Sequence, residues 1–177
     1  MKKEITVKVE RCMGCHTCEL ACAEAHSSTK DVLTLVQKGE KPGYRIFVEA
    51  YKTVPVPVPC RQCEEAACIL ACPTGAVHRN SPTAPVLVDD EKCIGCMMCV
   101  QACPFGMMSV KSNGKGVLKC DLCIERLAKG QLPACVAACP TRALGFSSDD
   151  EANQPKRKKV AMQMVTAMES QGEGGQS

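Results

Sequence analysis

The residues best placed to do chemistry in this chain are its sixteen cysteines, which fall into four quartets with none left over. Motif I is Cys12, Cys15, Cys18 and Cys22, and motif II is Cys60, Cys63, Cys68 and Cys72. Motif III is Cys93, Cys96, Cys99 and Cys103, and motif IV is Cys120, Cys123, Cys135 and Cys139. Thiolates are soft ligands that suit zinc and iron–sulfur cores. In a C-x2-C-x2-C run three sulfurs come from one tight loop, which wraps the chain around a metal core and turns backbone N–H groups toward it. The fourth ligand then comes from elsewhere: in two-cluster arrangements the last Cys of a C-x2-C-x2-C-x3-C-P run serves the other cluster. Pro after that Cys fixes the exit of the chain and has no N–H to leave unpaired. Three of the four quartets close this way, at Pro73, Pro104 and Pro140.

The competing uses of cysteine fit less well. Structural zinc sites use two separated Cys pairs, or a pair plus histidines, and do not call for a triplet with a fourth Cys closing on Pro. A zinc-held interaction scaffold is the alternative this leaves. Disulfides suit secreted chains, but Met1-Lys2-Lys3-Glu4 runs straight into Ile5-Thr6-Val7-Lys8-Val9 with no apolar signal region. No stretch approaches the roughly 18 apolar residues of a membrane helix, so a reducing, cytoplasmic setting without a membrane span is expected. The reading is four [4Fe–4S] clusters on all sixteen cysteines. Each cluster with its thiolates carries about −2 when oxidised, which would move the formal charge of +3 to roughly −5. A nucleic-acid partner is not expected: stacking aromatics are nearly absent, and the only basic run is Lys156-Arg157-Lys158-Lys159. With no Trp, two Tyr and three Phe, metal binding is expected to supply much of the folding free energy. Nothing marks an open metal position or a phosphate-cradling loop, so the chain reads as a carrier and not an enzyme. A reductase with its own active site would turn over substrate as an isolated chain.

The elements that must position the cysteines repeat as A-B-A-B. Glu10-Arg11-Cys12-Met13-Gly14-Cys15 matches Glu91-Lys92-Cys93-Ile94-Gly95-Cys96. Motifs II and IV both take a longer step and close on Ala-Cys-Pro-Thr, at Ala71 to Thr74 and Ala138 to Thr141. Gly14 and Gly95 read as places where a side chain would crowd the metal core. Strand-like runs are Ile5 to Val9, Tyr44 to Ala50, Val86 to Val88, Met107 to Val110 and Ala143 to Phe146. Residues 23–59 form the largest insertion. Its Val-Pro run, Val54 to Pro59, reads as an extended segment outside any ladder, because alternate prolines remove donors. Residues 147–177 form a tail in which 156–169 reads as a helix for docking a partner, with Val160, Met164 and Met168 at helical spacing. Gly172 to Ser177 reads as disordered.

The chain resembles the polyferredoxin electron-transfer subunits that serve molybdenum and tungsten oxidoreductases such as dimethyl sulfoxide reductase, formate dehydrogenase and aldehyde oxidoreductase. It is also similar to the small ferredoxin-like partner of nickel carbon monoxide dehydrogenase. Cys60-Arg61-Gln62-Cys63, Cys93-Ile94-Gly95-Cys96 and Lys119-Cys120-Asp121-Leu122-Cys123 carry the resemblance, over roughly residues 4 to 146. The segment Ala21 to Ser27 is most similar to the carbon monoxide dehydrogenase partner. The resemblance implies an α+β fold of tandem, intertwined ferredoxin-like lobes, each holding two clusters. It implies a role between a catalytic oxidoreductase subunit and a downstream redox protein; a freely diffusing polyferredoxin is the other reading.

Spacing leaves the cluster pairing open, since adjacency would join motif I with II and III with IV. The resemblance implies I with IV and II with III. The ligand sets it implies are Cys12, Cys15, Cys18 with Cys139; Cys120, Cys123, Cys135 with Cys22; Cys60, Cys63, Cys68 with Cys103; and Cys93, Cys96, Cys99 with Cys72. Motif I departs from the pattern in having Ala23 where Pro is usual. His16, His26 and His78 read as ordinary, partly exposed residues, and Met13, Met97, Met98, Met107 and Met108 as gap fillers. Lys119 and Arg142 read equally as neighbours of cluster charge or as solvated surface.

Overall fold

The computed structural model describes residues 2–39 and 43–172. The described residues fold as six short α-helices, one long C-terminal helix and four separate two-stranded antiparallel sheets, an α+β architecture.

The first lobe is closed by the two ends of the cysteine-bearing region. Strand β1 (Lys3–Val7) pairs with β8 (Leu144–Ser148), Val7 opposite Leu144. Helix α1 (Thr17–Ala25) packs on α6 (Ala134–Ala137). Their core is Cys18, Cys22, Ile46, Cys135, Val136 and Leu144, flanked by Ile5, Val7, Val48 and Phe146. Motifs I and IV therefore share one lobe.

Motifs II and III share the other. Helix α3 (Ala67–Leu70) packs on α4 (Met98–Ala102), beside the ladders β4 (Val77–Arg79) with β5 (Val86–Val88) and β6 (Ser109–Val110) with β7 (Val117–Leu118). Ala66, Val77, Val86, Cys99, Met108 and Val117 form its core. Helix α5 (Ile124–Ala128) fills the long step inside motif IV. Gln62 stitches the lobes together: its side chain, 1% exposed, donates to the Cys120 carbonyl at 2.7 Å and accepts from the Val86 N–H at 2.9 Å.

The insertion corrects one expectation. Val54–Val58 is a ladder strand, β3, paired with β2 (Phe47–Tyr51). Pro55 and Pro57 stand opposite Ala50 and Val48, in alternate register with the valines. The N–H groups of Val54, Val56 and Val58 can thus all face β2, while the prolines present their missing donors to the free edge of a two-stranded sheet. The insertion also holds α2 (Val32–Gln37), capped by the Asp31 carboxylate, which accepts from the Thr34 N–H at 2.9 Å.

The tail begins in the last two residues of β8 and is helical from Asp149. Helix α7 runs Asp149–Gly172, beginning earlier than the 156–169 expected. Ser148 and Glu151 form a capping box: the Ser148 N–H donates to Glu151 Oε2 at 2.9 Å, and the Glu151 N–H to Ser148 Oγ at 3.3 Å. Val160, Met162, Met164 and Val165 are exposed. Residues 173–177, within the segment expected to be disordered, lie outside the described residues. No helix among the described residues is long and apolar enough to cross a membrane.

Candidate metal centres

Each motif opens on a C-x2-C loop, and the second inserted residue of all four loops is left-handed: Gly14 at φ +72°, Gln62 at +48°, Gly95 at +69° and Leu122 at +58°. That turn makes successive N–H groups converge, a concavity suited to negative charge. Glycine adopts it freely; Gln62 and Leu122 are held in it by burial. At Gly95 the left-handed backbone alone favours glycine, and the nearest protein atom to an added Cβ would be the Gly116 nitrogen at 3.5 Å.

Three hollows are each lined by four cysteines drawn from two motifs. Hollow A carries Cys12, Cys15, Cys18 and Cys139. Hollow C carries Cys60, Cys63, Cys68 and Cys103, and hollow D carries Cys72, Cys93, Cys96 and Cys99. The remaining four, Cys22, Cys120, Cys123 and Cys135, are all buried in the first lobe and form group B. Burial pushes the Cys135 thiol up, and Cys120, Cys22, Cys123 and Cys18 push it further. Burial likewise pushes Cys120 up to about 12, with Cys60 across the lobe boundary adding to it. Burial raises Cys99 too, helped by Cys72, Cys68 and Cys93. These neighbours set the spatial order A–B–C–D. Cys15 in A and Cys96 in D are exposed, whereas no cysteine of B or C is.

Four thiols gathered around each hollow are a donor set suited to an iron–sulfur core. Donors to the sulfurs are also in place. The N–H of Arg45 donates to Cys22 Sγ at 3.3 Å, that of Val77 to Cys72 Sγ at 3.4 Å, and that of Met107 to Cys103 Sγ at 3.4 Å. The Ala-Cys-Pro-Thr repeat has a structural reason: Thr74 and Thr141 bring their hydroxyls to 3.7 Å from Cys72 Sγ and 3.8 Å from Cys139 Sγ. Burial opposes ionisation of Cys72 and Cys139, but these hydrogen bonds and those from the backbone bring both thiols below the ordinary value.

Two charged groups lie against the cysteines without being ligands. Beside B, a polar cleft is lined by His26, Arg45 and Asp121. Asp121 accepts from His26 Nε2 at 3.1 Å, from Arg45 Nη1 at 2.9 Å and from the Cys123 N–H at 2.8 Å. His26 also lies 3.7 Å from Cys22 Sγ and 3.9 Å from Cys123 Sγ. Burial works against its charged form, but the bonds to Asp121, Cys123 and Cys22 prevail and raise it to about 12. Burial works against the Asp121 carboxylate as well, yet His26 and Arg45 hold it well below the usual range. His26 is partly exposed as expected but not ordinary, since it is bonded to Asp121 beside two cysteines; its i, i+4 spacing from Cys22 on α1 was the available signal. The second group is Lys119, which is 5% exposed and not solvated surface. His16 and Arg142 are exposed, and the methionines divide: Met107 and Met108 are buried, Met13 and Met98 exposed.

Comparison with known proteins places these sites in a family. A model described as a 4Fe-4S dicluster domain matches residues 51–149, and one described as a 4Fe-4S binding domain matches residues 9–25. An iron–sulfur protein of Rhodospirillum rubrum is 41% identical over 147 residues, 76% of each chain. The electron transport protein HydN of Escherichia coli K12 is 36% identical over 180 aligned positions, 92% of this chain and 99% of that one. The B subunit of the anaerobic dimethyl sulfoxide reductase of Escherichia coli K12 is 38% identical over 150 residues, 80% of this chain and 71% of that one. From the dicluster match over more than half its length, and these identities over most of it, the chain belongs to the 4Fe-4S dicluster family of iron–sulfur electron-transfer proteins.

Proposed function

We infer that all sixteen cysteines are cluster ligands in the sets A (Cys12, Cys15, Cys18, Cys139), B (Cys22, Cys120, Cys123, Cys135), C (Cys60, Cys63, Cys68, Cys103) and D (Cys72, Cys93, Cys96, Cys99), making a four-site wire. The observation that supports this most is that three separate hollows are lined by four cysteines each, always from two motifs. When bound, [4Fe–4S] groups supply one-electron transfer. The chain's own part is to hold them, to keep water from B and C, and to bias each potential through hydrogen bonds to sulfur.

The wire serves as the iron–sulfur subunit between a catalytic oxidoreductase subunit and a second redox protein. The catalytic partner is of the carbon monoxide dehydrogenase, aldehyde oxidoreductase or formate dehydrogenase type. Electrons enter and leave at the two ends that expose a cysteine, Cys15 and Cys96. A subunit is favoured over a freely diffusing carrier by α7, a long exposed helix that adds nothing to either cysteine core. We place it in the cytoplasm, a reading supported by sixteen free cysteines whose use as thiolate ligands suits a reducing compartment.

Anaerobic purification with iron, acid-labile sulfide and zinc analysis tests this reading. About sixteen irons and sixteen sulfides per chain are expected, with EPR signals from interacting reduced clusters. Zinc without sulfide would replace the wire with a metal-stapled scaffold.

A further inference from the structure

One buried charge at the junction of the two lobes has no role in ligation. Lys119 is 5% exposed. Its ammonium donates to Cys60 Sγ, in set C, at 3.3 Å and to the carbonyl of Cys120, in set B, at 3.1 Å. No carboxylate among the described residues pairs with it. Lysine is almost never buried without an opposite charge; here the Cys60 thiolate, with the core it would hold, would supply it. The position is rigid: Gln62, in the loop between Cys60 and Cys63, grips the same Cys120 carbonyl at 2.7 Å. Cys68, across hollow C, feels the Lys119 charge as the strongest influence after burial. The donors found at the outer sets are different in kind, being the Val77 N–H and the Thr74 and Thr141 hydroxyls, all neutral.

We propose that Lys119 is a positioning residue that fixes a positive charge between the two inner clusters, raising the midpoint potential of the cluster in set C most and of that in set B next. Electrons then rest on the inner pair, away from the exposed ends. Adding one electron from an external one-electron donor to the group in set C adds one negative charge beside the ammonium. The hydrogen bond to Cys60 Sγ strengthens in that reduced state, which is the condition for a raised potential. The proposal rests on the ligand sets inferred above.

The test is an EPR-monitored redox titration of the full chain as wild type, Lys119→Met, Lys119→Gln and Lys119→Arg, with iron and sulfide measured on each. Both neutral variants are expected to keep about sixteen irons. One midpoint should fall by at least tenfold in the reduction equilibrium, about 59 mV for one electron, with a second falling less and two unchanged. Lys119→Arg should keep the wild-type values. A fully loaded neutral variant whose four midpoints all stay put, or all move together, overturns the role of Lys119 while leaving the ligand sets standing. Wild-type iron well short of sixteen overturns the ligand sets and the proposal with them. If neither neutral variant loads, pulsed ENDOR on wild type carrying ¹⁵N-lysine decides. A ¹⁵N coupling to a reduced cluster that disappears in Lys119→Arg supports the proposal, and no coupling in wild type overturns it.

Discussion

Motifs I and III carry the same C-x2-C-x2-C-x3-C run and the same left-handed glycine, yet the chain leaves them differently. Pro104 follows Cys103, and α4 stops at Ala102 after five residues. Met107, four residues on, supplies the N–H to Cys103 Sγ. Ala23 follows Cys22 instead, and α1 runs on for nine residues to Ala25, where His26 becomes its C-cap. The N–H to Cys22 Sγ then comes from Arg45, 23 residues away in the insertion. One substitution of Pro by Ala thus converts a self-contained loop into one that recruits the insertion, and brings His26 and Arg45 together on Asp121. The second lobe closes locally, while the first is tied together by contacts distant in sequence.

The largest expected effect comes from iron removal. Chelation should unfold most of both lobes, since structural metal binding contributes on the order of 10 kcal/mol. Amide exchange should expose the difference between them. Protection in β1 and β8, joined by five residue pairs, should outlast that in β6 and β7, joined by two. Equal loss would mean that the ion network and the longer ladder add nothing.

The exit residue can be exchanged directly. Ala23→Pro should cost about 3 kcal/mol or more, because Pro in a helix interior removes a hydrogen bond and clashes with the preceding turn. Pro104→Ala should stay within about 1 kcal/mol by anaerobic denaturant unfolding, as Cys103 already ends its helix. Similar costs at the two sites would erase the distinction drawn here.

Asp121→Asn removes the negative charge shared by His26 and Arg45, and one of the two accepting oxygens, while keeping the shape. With Asp121 about a quarter exposed, a loss of about 1–3 kcal/mol is expected in thermal unfolding of the loaded protein. The smallest effect belongs to the matched pair Thr74→Val and Thr141→Val, each losing one hydroxyl donor to a cysteine sulfur, about 0.5–1.5 kcal/mol. Unequal losses there would show that the two Ala-Cys-Pro-Thr endings are not equivalent.

Much of this was legible before any coordinates. The cysteine quartets, the A-B-A-B repeat and the strand at Val86–Val88 follow from local spacing. The β3 strand did not, because a strand of alternating prolines is possible only at a free edge, and edges are set by tertiary structure. The early start of α7 was written in Ser148 and Glu151, a capping box that the charge pattern of the tail obscured. His26 and Asp121 lie 95 residues apart, and no local pattern joins them. Nothing about Lys119 in the sequence separates a buried lysine from a solvated one; only the packing of Gln62 and Cys60 against it does.

The claim on which the account turns is that each cluster draws its fourth cysteine from the other motif of its lobe. EPR of reduced, anaerobically purified Cys96→Ser, Cys72→Ser and Cys103→Ser tests it most directly. Cys96→Ser and Cys72→Ser should alter the same cluster signal, while Cys103→Ser alters a different one. If Cys96→Ser and Cys103→Ser, both in motif III, changed the same signal and Cys72→Ser another, the exchange of ligands between motifs would be contradicted.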